Sequence, residues 1–376
     1  MTMMKDEQVL RAFGAHIQRL INKEDLSREE TYTGFCQILD NEQPNLQQGA
    51  FLAALVSKGE TVEEIAGAWQ AIVEKDTVAV SPDAFDSTKP LIENSGTGMD
   101  SLKTFNVSSA AAIVASACGA RIARHGARAL TSFCGTVDIL EAVGLDVECD
   151  AHTVEHSIRE EGIGLFNGMS VKIHPFGLGR ILSQIRFGTT LNIAASLANP
   201  ARPTHGLRGV YAESLLKPVA EVMSSIGYRR GMVVYGRVDG QEGGIDELSV
   251  CGSSTVCEFS DNGERNEYSL RPEDVGLNTV PFAEIATTGD LNKERKRFLR
   301  VLCGKGEQGC TDFTCLNAGA TLYAGGRAGS IEEGVRLAAA AIADGAALAK
   351  LKGWVAVQAR DGSGAARLEQ ELAALE

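Results

Sequence analysis

The residue pattern of the chain changes at about position 90, and this change constrains the fold more than any other feature. Between residues 5 and 75, apolar residues recur at helical spacing and are separated by polar turns. Beyond residue 90, Gly and Ala become frequent, and short β-rich runs alternate with helical stretches. Such alternation is typical of a mainly parallel sheet covered by helices. We therefore predict an α/β fold preceded by a small all-helical unit.

Capping signals mark helix ends in the first part of the chain. Ser27 with Glu30, and Thr61 with Glu64, have the spacing of capping boxes, and Gly59 ends the apolar pattern between them. Three short amphipathic helices are therefore predicted there. Further Ala-rich helices are predicted at 108–118, 334–350 and 364–375, and strands at 231–236 and 354–359.

Composition excludes several classes of partner. With 44% hydrophobic and 23% charged residues, the chain of 376 residues is expected to have a packed core. The net charge of -13 argues against binding to nucleic acid, which requires a basic face. No apolar leader is evident, and the longest apolar run, 110–120, is about half a membrane span. Nine scattered cysteines without metal-site spacing favour reduced thiols. We expect a cytoplasmic protein without nucleic-acid or membrane partners.

The segment 94–109, "NSGTGMDSLKTFNVSS", combines glycines, hydroxyl residues and one Asp. Gly96 and Gly98 would let the amides of a tight turn point at an anion. The polar residues from Asn106 to Ser109 precede an apolar helix, whose unpaired N–H groups favour negative charge. Two interpretations remain open from these residues alone: a phosphate-binding loop, or an ordinary helix start after a glycine turn.

A second segment, 124–144, reads "RHGARALTSFCGTVDILEAVG". Arg124 and Arg128 stand with hydroxyl residues ahead of a predicted helix, an arrangement that suits a second anion-binding loop. The alternative is a glycine-rich surface loop in which His125 is a core residue.

The adjacent carboxylates Asp246 and Glu247 lie in a predicted loop. One or two carboxylates together with substrate phosphates are the usual ligands of Mg²⁺ in proteins. An acidic pair is common on surfaces, but beside two phosphate-type loops it becomes informative. The three segments together predict a site that binds a polyanion and neutralises it with a metal ion.

These motifs resemble those of the anthranilate phosphoribosyltransferase family of tryptophan biosynthesis. "GTGMDSLKTFNVSS" is similar to the family's GTGGD and TFN-x-ST loop, 124–144 to its KHGNR segment, and "IDELS" to its Mg²⁺-binding LDE segment. The similarity spans nearly the whole chain in the same order. It implies a helical domain of residues 1–80, joined by helices from about 178–200, and an α/β domain of residues 81–376. It also implies a homodimer formed through the helical domain.

The resemblance implies a role for each matching position. Binding of phosphoribosyl pyrophosphate is implied for Gly96, Thr97, Gly98, Asp100, Thr104, Asn106, Ser108, Ser109, Arg124, His125, Gly126, Arg128, Ser132 and Thr136. Binding of Mg²⁺ is implied for Asp246 and Glu247, with the Ser108 hydroxyl as a further ligand. The reaction moves the phosphoribosyl group to an aromatic amine and releases pyrophosphate. No side chain is expected to act as a nucleophile, because positioning and charge stabilisation suffice.

Several positions depart from the family pattern near the glycine loop and the second segment. Met99 replaces a glycine, which would cost about 1–2 kcal/mol if this residue required a positive φ. Arg124 replaces a lysine and keeps its charge, whereas Phe133 and Cys134 make the second segment less polar than the family's.

The residues expected to bind the acceptor depart further from the family pattern. Ala127 stands where the family has the Asn that contacts anthranilate, and an ungapped alignment puts Leu182 where an Arg belongs. A shift of two residues instead aligns His174, and either Arg186 or Arg180 then takes the place of the Arg. The candidate acceptor-binding residues are therefore Ala127, His174, Arg180 and Arg186. We expect either anthranilate or another aromatic acceptor. A pyrimidine nucleoside phosphorylase and a non-catalytic nucleic-acid-binding relative are the alternatives from other classes.

Overall fold

The computed structural model describes residues 2–128, 134–185 and 187–375. The chain forms two compact units, each of which contains two separate stretches of sequence. The first, the helical unit, comprises Met1–Ala79 and Gly168–Pro200. The second, the α/β unit, comprises Val80–Asn167 and Ala201–Glu376.

Helices form most of the regular structure. In the described residues, α1 to α15 span, in chain order, Thr2–Ile21, Arg28–Leu39, Asn45–Lys58, Val62–Lys75, Val107–Ala117, Thr136–Ala142, Ala151–Glu161, Leu178–Gln184, Leu191–Ala194, Leu216–Ser225, Leu291–Leu302, Gln308–Ala324, Ile331–Ala343, Ala346–Val357 and Ser363–Ala373. Not one of the described helices combines the length and the apolar character needed to cross a membrane.

The helical unit begins with four helices, one more than predicted, because α1 precedes the three recognised from capping and spacing. Both capping boxes are confirmed: the Ser27 hydroxyl accepts from the N–H of Glu30, and Thr61 does the same for Glu64. The rings of Phe13 and Phe51 pack with their centroids 5.1 Å apart. The apolar faces of these helices therefore meet in a core of their own.

The α/β unit is built on one eight-stranded sheet. In chain order, β1 to β8 span Ile92–Ser95, Ile122–Gly126, Ile163–Asn167, His205–Gly209, Arg230–Arg237, Gly244–Ile245, Ser254–Ser260 and Arg265–Leu270. The strand order is β3-β2-β1-β4-β5-β7-β8, with β6 paired to β5. The pairs from β3 to β5 are parallel, whereas β5, β7 and β8 pair antiparallel. The predicted mainly parallel sheet, with helices packed against it, is confirmed.

Two predicted elements near the C-terminus were wrong. The stretch 354–359 was predicted as a strand from its β-rich composition, but residues 354–357 form the end of α14, where Trp354 and Val355 are fully buried. Packing of these side chains against the core outweighs their strand preference. The predicted helix 334–350 is two helices, α13 and α14, because Gly345 adopts φ = +82° and interrupts the helix between them.

Candidate functional site

The parallel strands of the α/β unit deliver the predicted site residues to one edge of the sheet. β1 ends at Ser95, directly before the glycine loop, and β2 contains Arg124 and ends at Gly126. Since the carboxyl ends of parallel strands lie at the same edge, the loops that follow them converge there. Ligands of open α/β sheets bind at this edge.

The glycine loop, residues 96–98, is held against Asp246. The Gly98 N–H donates to Oδ2 of Asp246 at 2.5 Å, and the Thr97 hydroxyl donates to the same oxygen at 3.2 Å. A Cβ on Gly96 would lie only 2.5 Å from Cγ of Asp246. A side chain at position 96 would therefore require the loop and the carboxylate to move apart.

The backbone at Met99 carries no strain of the kind considered above. Gly98 adopts φ = +72°, so the left-handed residue of the loop is a glycine. Among the described residues with a side chain, positive φ occurs at Lys23, Asn41 and Arg202. Met99 therefore extends the loop with an ordinary backbone conformation.

The start of α5 presents polar groups without partners. Asn106 occupies the N-cap position, but its side chain makes no capping hydrogen bond. Within the described residues, Oδ1 of Asn106 and Oγ of Ser109 are buried and have no hydrogen-bond partner. The carbonyl of Ser108 accepts from the amide of Asn94 at 2.8 Å, which ties β1 to this helix end. Thr104 lies on the approach to the helix, where it forms a β-bridge with Ala286. The Ser109 hydroxyl can donate a hydrogen bond, and together with the N–H groups of the first turn of α5 it fits an anion.

Three carboxylates converge beside the loop. One oxygen of each of Asp100, Asp246 and Glu247 lies within 4.8 Å of the others. Asp100 and Asp246 are buried, and Glu247 is partly buried. The Ser108 hydroxyl donates to Oε1 of Glu247 at 3.4 Å, whereas Oε2 of Glu247 is buried and has no hydrogen-bond partner within the described part of the chain. The Lys103 ammonium contacts Asp100 at 2.8 Å.

Burial and mutual repulsion change the acidity of this cluster. Burial and the neighbouring Asp246 raise the pKa of Asp100 to about 7. The same two causes raise the pKa of Glu247 well above its usual value. Buried carboxylates that are unfavourable when charged are stabilised by a cation, and oxygen ligands in this number suit Mg²⁺. The residues present therefore fit a divalent metal ion.

Arg124 brings a buried positive charge to the same edge. Its side chain is 2% exposed, and Nη2 lies 3.4 Å from the Thr136 hydroxyl. Its Nε and Nη1 have no partner among the described residues. Burial lowers the pKa of Arg124 to about 10, although Glu93 and Glu247 favour its charged form. A guanidinium with unused donors suits an anionic ligand.

The rest of the second segment is only partly described. His125 is buried in β2, and a Cβ on Gly126 would lie 2.8 Å from the Thr136 methyl group. Arg128 donates to Glu141 at 2.6 Å and to Asp138 at 3.3 Å, so the guanidinium is already neutralised. Its role in anion binding stays a prediction. Ser132 lies outside the described residues.

The candidate acceptor-binding residues belong to both units. Ala127 is exposed in the α/β unit, after β2. In the helical unit, Nδ1 of buried His174 lies 2.6 Å from the carbonyl of Asp76, and burial lowers the histidine pKa. The guanidinium of Arg180 donates to Oε1 of Gln48 at 3.0 Å and to the carbonyl of Ile38 at 2.5 Å. His174 and Arg180 therefore have partners within their own unit. Arg186 lies outside the described residues.

Four polar residues of the α/β unit were not identified from the sequence. Arg208 and Glu93 are buried on β4 and β1, the Tyr228 hydroxyl donates to Glu93 at 2.6 Å, and Lys103 contacts the acidic cluster. A signal existed for Arg208, because the β-rich run "THGLRGV" contains one arginine where an apolar residue is expected. The pattern gave no comparable sign for Tyr228.

Comparison with known proteins agrees with this geometry. Residues 88–348 match the glycosyl transferase family a/b domain, and residues 15–76 match the helical bundle domain of the glycosyl transferase family. The chain is 39% identical over 343 residues to an anthranilate phosphoribosyltransferase from Anaeromyxobacter dehalogenans, covering 90% of this chain and 97% of that one. A relative of the same name from Methanopyrus kandleri is 36% identical over 342 residues, with 89% and 97% covered.

Solved structures show the same arrangement of elements. The crystal structure of anthranilate phosphoribosyltransferase from Thermus thermophilus aligns with a TM-score of 0.79 and 32% identity, covering 91% of this chain and 99% of that one. The enzyme from Saccharomyces cerevisiae in complex with PRPP and Mg aligns with a TM-score of 0.77, covering 93% and 98%. At 23% identity, the yeast structure supports the fold alone.

Proposed function

This chain belongs to the anthranilate phosphoribosyltransferase family, and we propose that it transfers the phosphoribosyl group of phosphoribosyl pyrophosphate, with Mg²⁺, to the amine of anthranilate or a related aromatic acceptor. It is an enzyme of the pentosyltransferase class. Pyrophosphate is the second product.

The observation that carries the proposal is the shared use of Asp246. One oxygen of this carboxylate accepts two hydrogen bonds from the glycine loop, and the carboxylate also belongs to the acidic cluster. The loop for the anion and the ligands for the cation are therefore one connected structure. A metal ion bound by the cluster would lie next to a diphosphate bound by the loop and by the start of α5.

The chain's own groups would supply most of the catalysis. The main-chain amides of Gly96, Thr97 and the first turn of α5 would hold the diphosphate, and Arg124 would add a positive charge in a buried setting. Fixed dipoles and charges of this kind stabilise negative charge on a leaving group, and each is worth about 3–4 kcal/mol in the barrier. Bound Mg²⁺ would neutralise further charge on the departing pyrophosphate.

Calorimetry with phosphoribosyl pyrophosphate and Mg²⁺ tests the donor half. Wild type should bind, and Asp246→Asn should lose at least about 100-fold in affinity, because one substitution weakens both the loop and the metal ligands. Asp261→Asn is the matched control, since its carboxylate is exposed and its ion pair is with Arg229, at 3.4 Å. Absence of any heat of binding by wild type with metal present would refute the proposal.

A second candidate function is transfer to an acceptor other than anthranilate. It is favoured by Ala127, which lacks an amide for a substrate carboxylate, and by Arg180, whose donors are used by Gln48 and Ile38. Pyrophosphate release with a panel of aromatic acids and amines distinguishes the two candidates. Rescue of a tryptophan auxotroph by this chain would exclude the second.

We also propose a cytoplasmic homodimer that assembles through the helical unit. Leu46 and Ile21 of that unit are 88% and 58% exposed, which supports an apolar contact surface there. The nine cysteines are all free thiols, which favours a reducing compartment. Light scattering of the wild type and of a Leu46→Lys variant tests the assembly.

A further inference from the structure

Arg208 is a buried cation that the proposed donor site does not use directly. It lies on β4, one residue before the strand ends, and its side chain is 1% exposed. Burial of a guanidinium is costly unless its donors are paired with good geometry. A charged residue kept in such a position therefore needs a structural or functional reason.

The contacts of Arg208 lead to the glycine loop. Its Nη1 donates to the Ser95 hydroxyl at 2.5 Å, and Ser95 is the residue directly before Gly96. The β1–β4 register places Ser95 and Arg208 opposite each other. Gly209, the next residue of β4, packs so closely on the carbonyl of Asp246 that a Cβ there would overlap it. Two consecutive residues of β4 therefore contact the surroundings of the loop: Arg208 bonds to Ser95, which precedes it, and Gly209 packs on the backbone of Asp246, which holds it.

Glu93 and Tyr228 provide a buried polar environment for this cation. The Tyr228 hydroxyl donates to Oε2 of Glu93 at 2.6 Å, and both side chains are buried. Burial and the charge of Glu93 raise the pKa of Tyr228, whereas the charge of Arg208 opposes this rise. The three groups are thus near enough to interact electrostatically.

The position of the Arg208–Ser95 bond in the sheet is distinctive. β1 continues through α5 to β2 on one side, whereas β4 continues through α10 to β5 on the other. The boundary between β1 and β4 is therefore the topological switch point, where open α/β sheets bind their ligands.

We propose that Arg208 is a positioning residue for the diphosphate of the donor substrate. Its hydrogen bond fixes Ser95, and through Ser95 it sets the direction in which the amides of Gly96 and Thr97 point. This inference rests on the proposed function, since the loop is the element assigned to phosphoribosyl pyrophosphate. It adds a residue that the family resemblance did not assign.

A double-mutant cycle tests whether the hydrogen bond between Arg208 and Ser95 supports binding of the donor. Arg208→Met and Ser95→Ala should each weaken binding of phosphoribosyl pyrophosphate with Mg²⁺ about tenfold, the loss expected for one hydrogen bond to a charged group. The double variant should lose no more than either single variant, because both remove the same interaction. The KM for the acceptor should change less than about twofold. General destabilisation would not weaken donor binding while leaving the KM for the acceptor nearly unchanged. Arg208→Lys should recover part of the affinity.

Arg230→Met is the matched control. Arg230 lies at the other end of the neighbouring strand β5 and pairs with Glu258 at 3.1 Å, so its loss should lower the melting temperature without changing donor affinity. Two results would overturn the inference and leave the proposed function standing. One is an unchanged donor affinity in both Ser95→Ala and Arg208→Met. The other is an affinity loss of about 100-fold in the double variant, which is the product of the two single losses. If Arg208→Met does not fold, Ser95→Ala alone decides. Absence of binding by wild type would instead reject the proposed function and this inference with it.

Discussion

Replacement of Gly96 by alanine tests the contact on which the donor site depends. The added Cβ would lie 2.5 Å from Cγ and 2.8 Å from Oδ1 of Asp246. Carbon and oxygen atoms in ordinary contact are about 3.5 Å apart, so the loop and the carboxylate must separate by about 1 Å. The hydrogen bond from the Gly98 N–H to Asp246, 2.5 Å long in wild type, cannot survive that displacement.

The expected magnitude follows from that lost bond. A hydrogen bond to a charged group contributes about 1.5–3 kcal/mol, which corresponds to about 10–150-fold in an equilibrium constant. Since the bond orients the amides that receive the diphosphate, the Gly96→Ala variant should bind phosphoribosyl pyrophosphate with Mg²⁺ more weakly by about this factor.

Titration calorimetry measures the affinity, and thermal unfolding shows whether the variant is folded. Gly49→Ala is the matched control, because a Cβ at this position in α3 meets no atom of the described residues within 4 Å. A helix-interior alanine in place of glycine should raise stability by about 0.5–1 kcal/mol and leave the affinity unchanged. A Gly96→Ala variant with wild-type affinity would refute the reasoning, since Asp246 would then not depend on its contact with the loop.

Two further predictions concern single residues. Arg124→Met should weaken donor binding about tenfold, because the donors that Arg124 leaves unused among the described residues suit the anion. Arg128→Met should change donor binding less than about threefold, because Arg128 is neutralised by Glu141. Equal losses of affinity in calorimetry would contradict this difference between the two arginines. Burial lowers the pKa of His174 from 6.5, so below that pH the unfolded chain binds a proton that the folded chain does not, and stability falls as the pH decreases. When the pH is lowered from about 7.5 to 5.5, the melting temperature should therefore decrease less in His174→Asn than in wild type. An equal decrease in the two proteins would contradict this effect of His174.

Local sequence signals predicted the elements that depend on local chemistry. The capping boxes at Ser27 and Thr61 satisfy backbone donors within a few residues, so their spacing was sufficient. The strand predicted at 231–236 lies within β5. The stretch ending α14 was predicted wrongly because its residues favour strands locally, whereas burial of Trp354 in the core decides the outcome.

The acidic cluster could not be predicted from the pattern of any one segment, because it joins residues that are far apart in the sequence. Asp100 follows the glycine loop, and Asp246 lies 146 residues later, yet an oxygen of each lies within 4.8 Å of the other. The resemblance supplied roles for both but did not join them in one metal site. Arg208 was missed for a related reason, since its partner Ser95 is 113 residues away and meets it only through strand pairing.

The division of the helical unit into two stretches affects how the protein can fold during synthesis. The Asp76 carboxylate accepts from the N–H groups of Phe176 and Leu178, about one hundred residues further along the chain. At a translation rate of about 5–20 residues per second, a newly made α4 would wait roughly 5–20 s for these partners to be synthesised. During that interval β1, β2 and β3 are synthesised, before β4 exists to cover the open edge of β1. A nascent chain of this protein therefore exposes an incomplete helix cluster and an unpaired strand together, the kind of intermediate that chaperones bind.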